Sequence, residues 1–500
     1  MTFQLVIDSI INLAHFDLIL MLFIGVIAGL VFGALPGLSS ITGMAIVLPF
    51  TFGMNPLAAM LIYAGIISVA PLGGSIPAIL LNTPGTAPNA ASCFDGFPMT
   101  QKGEGSRAIA VSSMSCLVGT IFGVVVLIIL LNFIIPIILS FRAPEMFWLI
   151  FFGLMVISIV VKGSVLKGLS TAGIGILFSF VGINETYAEE MFTFNIKYLW
   201  DGIPLVPFYI GLFALSELII YTAKGGTIVL EKNIKREKTN WDQIKQGILD
   251  VIKRPFLVFQ SSVIGTGIGL LPGVGGTVSA FISYAMAKKS SKFPETFGKG
   301  NVEGLIATEV ANDAKEGGSL LPTVAFGIPG SADMAIVLGA FVLHGLEPGP
   351  LLVRDHIDVV LTLALGLSFS QVIGSFLVFL TANYITRLVS IDTRILAPYV
   401  IILCLGGAFT VRGSYLDVIL AIMAGFLGYF MKIYKFPVVP MAIGYILGDM
   451  AQKTFHQSLM MSFGKYDIFF SSKICFVIIF LIIVLLTSTY FKTIFFKRSK

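Results

Sequence analysis

The chain is a succession of apolar runs broken by short Pro-Gly turns. Asp17–Gly33 is apolar and runs into Leu35-Pro36-Gly37-Leu38-Ser39-Ser40, followed by a short apolar arm to Phe52. Pro56–Ala70 leads to Gly73-Gly74-Ser75, and Ile76–Leu81 leads to Asn82-Thr83-Pro84-Gly85-Thr86. The polar stretch from Asp95-Gly96-Phe97-Pro98 to Arg107 reads as a loop, with Asp95 in water. Four further apolar segments follow, Ser106–Ser140, Met146–Val161, Leu166–Val181 and Pro204–Thr222. Several runs reach the roughly 18 residues that span a bilayer as a helix. The period-two alternation of a membrane β-barrel is missing. The expected fold is therefore an all-α polytopic membrane protein with about 11–13 membrane segments.

After Lys224–Arg254 the pattern starts again. Gly269-Leu270-Leu271-Pro272-Gly273-Val274-Gly275-Gly276 repeats Gly33-Ala34-Leu35-Pro36-Gly37. Gly317-Gly318-Ser319 is read as repeating Gly73-Gly74-Ser75, and Pro329-Gly330-Ser331 as repeating Pro84-Gly85-Thr86. Ala143-Pro144 recurs as Ala397-Pro398, Lys162-Gly163-Ser164 as Arg412-Gly413-Ser414, and Pro204, Pro207 and Gly211 as Pro437, Pro440 and Gly444. Six matches in one order do not arise by chance. The predicted division is an N-terminal segment (1–16), a first transmembrane repeat (17–222), a basic linker (223–256), a second repeat (257–452), and a final helix with a basic tail (453–500). Internal repeats of this size mark secondary transporters.

Charge sets the expected orientation. No Lys or Arg precedes Lys102, whereas Lys224–Arg254 holds eight basic residues against four acidic ones, and the tail carries Lys492, Lys497, Arg498 and Lys500. An excess of Lys and Arg stays in the cytoplasm. That places the N-terminus outside and the linker, a solvated connection, inside, so the two repeats are inverted. The arms Phe256–Leu271 and Thr277–Ala287 are short for crossing, and basic residues flank both. A re-entrant hairpin turning at Pro272-Gly273 explains this; a single kinked span is the alternative.

Composition agrees. The chain is 56% hydrophobic and 12% charged, with mean hydropathy +0.95, against about 25% charged residues in soluble domains. The net charge of +5 comes from loops and tail and forms no nucleic-acid patch. An N-terminus without basic residues is not a signal peptide of the cleaved kind. Cys93, Cys116, Cys404 and Cys475 are scattered and read as small core residues; the four histidines show no ligand spacing. There is no GxxxxGK[ST], HExxH or GxSxG, so no phosphate loop, zinc-protease helix or nucleophile elbow is encoded.

The candidate chemistry lies at the turns. Pro and Gly stop one helical arm, and a Ser or Thr follows within a few residues: Ser39, Thr86, Thr277 and Ser331. Such residues cap the next helix, whose free N–H groups and partial positive charge suit an anion. The expected substrate site is Gly37, Ser39, Ser40, Asn82, Pro84, Gly85, Thr86, Gly273, Gly275, Gly276, Thr277, Pro329, Gly330 and Ser331. Beside it, Glu309, Asn312 and Asp313 fall at i, i+3 and i+4 on one helical face. Carboxylates and amide carbonyls at membrane depth suit Na⁺ or H⁺ coupling, and a structural polar face accounts for them equally well. No other cofactor is expected.

The chain resembles the large membrane subunit of the tripartite tricarboxylate transporter family, the TctA-type permeases. The marks are Gly33–Gly37, Gly73–Thr86, Asp95–Pro98, Gly269–Gly276, Glu309–Ala314, Gly327–Gly330 and Gly345-Leu346-Glu347-Pro348-Gly349-Pro350. The resemblance implies a bacterial inner-membrane symporter driven by Na⁺ or H⁺, importing small carboxylates. It also implies two partners, an extracytoplasmic solute-binding protein and a small four-span membrane subunit. Asp313 stands where the family usually has a second Asn, and Val69-Ala70-Pro71-Leu72 replaces a usual Tyr-Gly pair. An intramembrane enzyme or scaffold reusing a transporter fold is the competing class.

Overall fold

The computed structural model describes residues 2–35, 38–138, 140–160, 164–184, 189–224, 240–389 and 393–497. An amphipathic N-terminal helix, α1 (Thr2–Leu13), precedes α2 (Phe16–Ala34), α3 (Ser40–Val47) and α4 (Pro56–Leu81). Next come α5 (Cys93–Gln101), α6 (Gly105–Ile138), α7 (Ala143–Val160) and α8 (Val165–Ser179). A long helix then runs as α9 (Leu205–Tyr209), a π-helical stretch, and α10 (Ser216–Lys224). The order restarts with α11 (Trp241–Ile252), α12 (Pro255–Gly269), α13 (Gly275–Ser290), α14 (Val302–Phe326), α15 (Ala332–Leu343) and α16 (Pro350–Asp355). It finishes with α17 (Ile357–Val389), α18 (Thr393–Thr410), α19 (Tyr415–Ile433), α20 (Val439–Met461) and α21 (Lys473–Lys497). The strands among the described residues are a two-residue pair, Gly182–Ile183 against Glu190–Met191.

Five of the described helices are long and apolar enough to cross a membrane: Phe16–Ala34, Pro56–Leu81, Gly105–Ile138, Ile357–Thr381 and Tyr415–Ile433. Large apolar side chains are exposed along them and their neighbours, among them Ile129, Phe133, Phe376, Met423 and Phe480. Water would not tolerate so continuous an apolar surface; lipid does. This is a multi-pass membrane protein.

Small residues bring the central helices close. A side chain begun at Gly25, Gly29 or Gly33 of α2 would stand 2.4, 2.8 or 2.0 Å from the carbonyl oxygens of Ile62, Gly65 and Ala70 of α4. Gly265 and Gly269 of α12 meet Ala311 and Lys315 of α14 in the same manner. Lipid tails are as apolar as Leu, so helices associate through such backbone contact. The two groups of helices are interlocked: α4 packs on both α2 and α17, and α14 packs on both α12 and α6. α12 and α13 pack against each other, which makes the segment around Pro272 a hairpin and not a kinked span.

Three sequence readings are corrected. First, Asp95 is not in a wet loop. It is buried on α5, and its carboxylate accepts the backbone N–H groups of Gly298, Gly300 and Asn301 (2.9, 2.9 and 2.7 Å) and the Tyr284 hydroxyl (2.9 Å). A carboxylate three residues into a Gly-rich turn from another segment finds N–H donors that local sequence cannot reveal. Second, the linker is not solvated throughout. Residues 225–239 lie outside the described residues, but Trp241–Ile252 is helix α11, capped by Asn240 and packed on α6. Arg107 of α6 pairs with its Asp250 at 2.6 Å. Third, the Gly-Gly-Ser match is one residue out of register. Gly73 faces the Leu30 carbonyl as Gly318 faces that of Thr266, and Gly85 abuts Gly74 as Gly330 abuts Ser319. Asn82 and Gly327 both end their helices in the left-handed region, at φ 54° and 69°. Backbone packing pairs Gly73 with Gly318, where letter matching favoured Gly317.

Candidate functional site

The long helices α4 and α14 each end in a left-handed cap and a Pro-Gly turn that doubles back toward the helix middle. The Gly85 N–H donates to the Gly74 carbonyl at 3.2 Å. In the second group, the Gly330 N–H donates to Thr323 Oγ1 at 3.2 Å, and the Gly273 N–H of the α12–α13 turn donates to the Gly330 carbonyl at 3.0 Å. No Cβ fits at Gly330, because it would lie 2.5 Å from Ser319 Cα. The turns after α4 and α14 are thus each satisfied by their own helix, and the α12–α13 turn by the Gly330 carbonyl, as irregular backbone inside a membrane protein requires.

Two of the four expected caps form. Ser39 Oγ accepts the Thr42 N–H at the start of α3, and Ser331 Oγ accepts the Met334 N–H at the start of α15, both at 3.4 Å. Thr277 is not a cap. Helix α13 begins two residues earlier, because Gly275 can adopt φ 71° and release the helix directly after Val274. Thr86 does not cap an α-helix either; its N–H (3.2 Å) and hydroxyl both go to Asn89 Oδ1. Of the remaining expected site residues, Gly85, Gly276, Pro329 and Gly330 are buried at the meeting of the turns, while Asn82 and Pro84 are exposed. Gly37 lies outside the described residues.

The acidic stretch of α14 divides into two adjoining polar centres. The first surrounds Glu309, whose two carboxylate oxygens both lie 2.8 Å from Ser75 Oγ of α4, while Cys116 Sγ of α6 donates to it at 3.3 Å. Asn89 Nδ2 donates to Ser75 Oγ at 2.7 Å and to the Pro71 carbonyl at 3.0 Å. A line of hydrogen bonds therefore runs from the Thr86 turn through Asn89 and Ser75 to Glu309, from one group of helices to the other.

The second centre is Lys315. Its ammonium lies 2.6 Å from Glu316 Oε1 and 3.5 Å from Asp333 Oδ2. Asp333, in the first turn of α15, also accepts a hydrogen bond from the Ser40 hydroxyl at the start of α3. Asn312 and Asp313 sit between the centres, joined by one long contact of 3.5 Å. Asn312 Oδ1, Asp313 Oδ2 and Glu316 Oε2 are buried oxygens without a hydrogen-bond partner. Gly276, at the start of α13, borders this group; a Cβ there would stand 2.3 Å from Asn312 Oδ1 and 2.9 Å from Lys315 Cε. Glu316 and Asp333 thus share one ammonium, while the buried carboxyls of Glu309 and Asp313 have no ion-pair partner among the described residues. Each ion taken out of water costs several kcal/mol, so the site is short of positive charge.

Glu309, Asn312 and Asp313 lie on one buried stretch of α14, as their spacing predicts, and Gly276 borders Asn312. Sequence reasoning left Ser75, Asn89, Cys116, Lys315, Glu316 and Asp333 out of the site. Lys315 and Glu316 carried a signal, being charges in an apolar chain. Cys116 carried none, since the thiol's proximity to Glu309 depends on α6 crossing α14.

Comparison with known proteins agrees with the geometry. The family model described as the tripartite tricarboxylate transporter TctA family matches residues 19–443. An uncharacterized 52.8 kDa protein from the TAR-I ttuC' 3' region of Agrobacterium vitis is 32% identical over 460 residues, covering 90% of this chain and 89% of that protein. An uncharacterized protein from the TAR-II ttuC' 3' region of the same organism is 32% identical over 214 residues, 42% of this chain and 87% of that protein. No solved structure matches. The chain belongs to the tripartite tricarboxylate transporter TctA family, whose members are the large membrane subunits of tripartite transporters.

Proposed function

We propose that this subunit imports small carboxylates by cation symport across a bacterial inner membrane. In this reading an extracytoplasmic solute-binding protein delivers the anion and a small four-span subunit completes the complex. The carboxylate sits where the turns at Ser39-Ser40, Gly85-Thr86, Gly273–Gly276 and Pro329–Ser331 meet, facing helix N-termini. The cation, Na⁺ or H⁺, sits at Glu309, Asn312 and Asp313.

The observation that carries the coupling is the charge shortage, with three buried carboxylates, the partly exposed Asp333, one ammonium and three unpartnered oxygens close together. Na⁺ takes such oxygens as ligands, and H⁺ neutralises the acids. A bound cation also offsets the charge of an arriving carboxylate, so each raises the other's affinity equally. Uptake by the complete three-component system, measured against Na⁺ at fixed pH and against pH at fixed Na⁺, tests this. Asn312→Ala is expected to raise the ion concentration giving half-maximal uptake by tenfold or so, about 1.4 kcal/mol. Asp313→Asn, which keeps an oxygen ligand, is tolerated better than Glu309→Gln. Activity that falls in all three variants only as protein is lost from the membrane makes the cluster structural.

A further inference from the structure

Neither the sequence motifs nor the family match assigns a role to Lys315 and Asp333. We propose that Lys315 binds a carboxylate group of the transported anion, and that Asp333 occupies that place while the transporter is empty. The inference rests on the carboxylate-symport reading and names the group within that site which recognises the anion.

Four features of the structure support it. Lys315 holds its two acids unequally: Glu316 at 2.6 Å, next to it in sequence, and Asp333 at 3.5 Å, from a different helix. The looser partner is the one an incoming carboxylate displaces. Asp333 is also the most accessible member of the ion-paired group, its side chain 14% exposed against 4% for Lys315 and 2% for Glu316. Third, Asp333 already lies where an anion belongs. It is in the first turn of α15, and it accepts a hydrogen bond from Ser40 in the first turn of α3. A carboxylate in the first turn of one helix therefore already lies against a hydroxyl in the first turn of another and an ammonium, an arrangement that suits an anionic substrate. Fourth, Asn312 Oδ1 is buried and without a partner beside the Lys315 stem at the glycine-only start of α13. That side chain accepts a hydroxyl or carboxylic O–H that a substrate brings, or a cation entering with it.

Uptake of labelled citrate, succinate and lactate by cells carrying the complete transporter tests the assignment, with KM and Vmax separated. Asp333→Asn removes the internal competitor and is expected to lower KM at least threefold. The decisive variant is Lys315→Gln combined with Asp333→Asn, which removes both charges of that contact. Because it also takes the ammonium from Glu316, its level in the membrane is measured beside KM, and Lys315→Arg, which keeps the charge, is read with it. If Lys315 serves only to neutralise Asp333, the double variant transports with the KM of the unaltered protein, and the proposal is overturned. If Lys315 binds substrate, the double variant reaches the membrane at normal level with KM raised tenfold or more, and Lys315→Arg retains partial uptake. Failure of the unaltered transporter to take up any of the three acids overturns the carboxylate reading and this assignment together. Uptake with an unchanged KM in the double variant overturns the assignment alone.

Discussion

Asp95 and Glu309 illustrate how a single carboxylate is kept in an apolar protein. Each is buried, and each is surrounded by donors from a different segment of the chain. They differ in donor number and kind. Asp95 collects three backbone N–H groups and a phenol, so its charge is well met and it holds the 298–301 turn in place. Glu309 has side-chain donors instead, the hydroxyls of Ser75 and Ser92 and the weakly donating Cys116 thiol. The first pins a backbone turn, whereas the second joins side chains of separate helices. Asp95→Ala is expected to destabilise the protein by on the order of 3 kcal/mol, because it strands the three N–H donors. Thermal unfolding in detergent reads that loss, and Asp95→Asn, which keeps an acceptor oxygen, should show less than half of it. Equal unfolding temperatures for Asp95→Ala and the unaltered protein would remove this account.

At the scale of elements, α11 is the informative case. Its charged residues suggested a solvated linker, yet its Gly247 lies flat on α6, where a Cβ would stand 2.5 Å from the Arg107 carbonyl oxygen. Arg107 in turn reaches Asp250 and Glu104, and Arg254 reaches Asp250 and Glu303. The helix is thus an amphipathic strap joining α6 to the start of α14. Gly247→Leu overpacks this contact at a cost of about 2 kcal/mol. The expected result is faster tryptic cleavage at Lys245 and Lys253 in membranes opened to the protease, with the transmembrane helices intact. Cleavage at the unaltered rate would mean the strap is not held by this contact. The sequence pattern alone could not separate strap from linker, because an amphipathic surface helix and a charged connection have similar composition. The structure decides through one glycine and one ion pair.

For the whole molecule, interlocking is the main property. Since α4 packs on α17 and α14 on α6, neither group of helices carries a complete core of its own, and neither is expected to fold when expressed separately. Orientation is testable at the same scale. The excess of basic residues in 224–254 predicts that Asn240, the cap of α11, lies in the cytoplasm. A cysteine at position 240 in an otherwise cysteine-free protein should resist a membrane-impermeant maleimide in intact cells and react once the membrane is opened. Efficient labelling in intact cells would reverse the topology.

The sequence by itself determined the membrane class, the positions of the helix breaks and the recurrence of the Pro-Gly turns, because these depend on local properties. Segment length and hydropathy decide what crosses lipid, and Pro and Gly decide where a helix stops. It also marked Glu309, Asn312 and Asp313, because charge is rare in such a chain. Only the tertiary structure decided which partners those groups have. Cys116 reaches Glu309 because α6 crosses α14 at Gly119 and Gly123, Ser75 reaches it from α4, and Asp333 reaches Lys315 because the α15 turn folds back on α14. The one-residue shift between Gly73 and Gly318 has the same origin. Letter patterns align identical residues, whereas packed helices align the backbone positions that must lack a side chain.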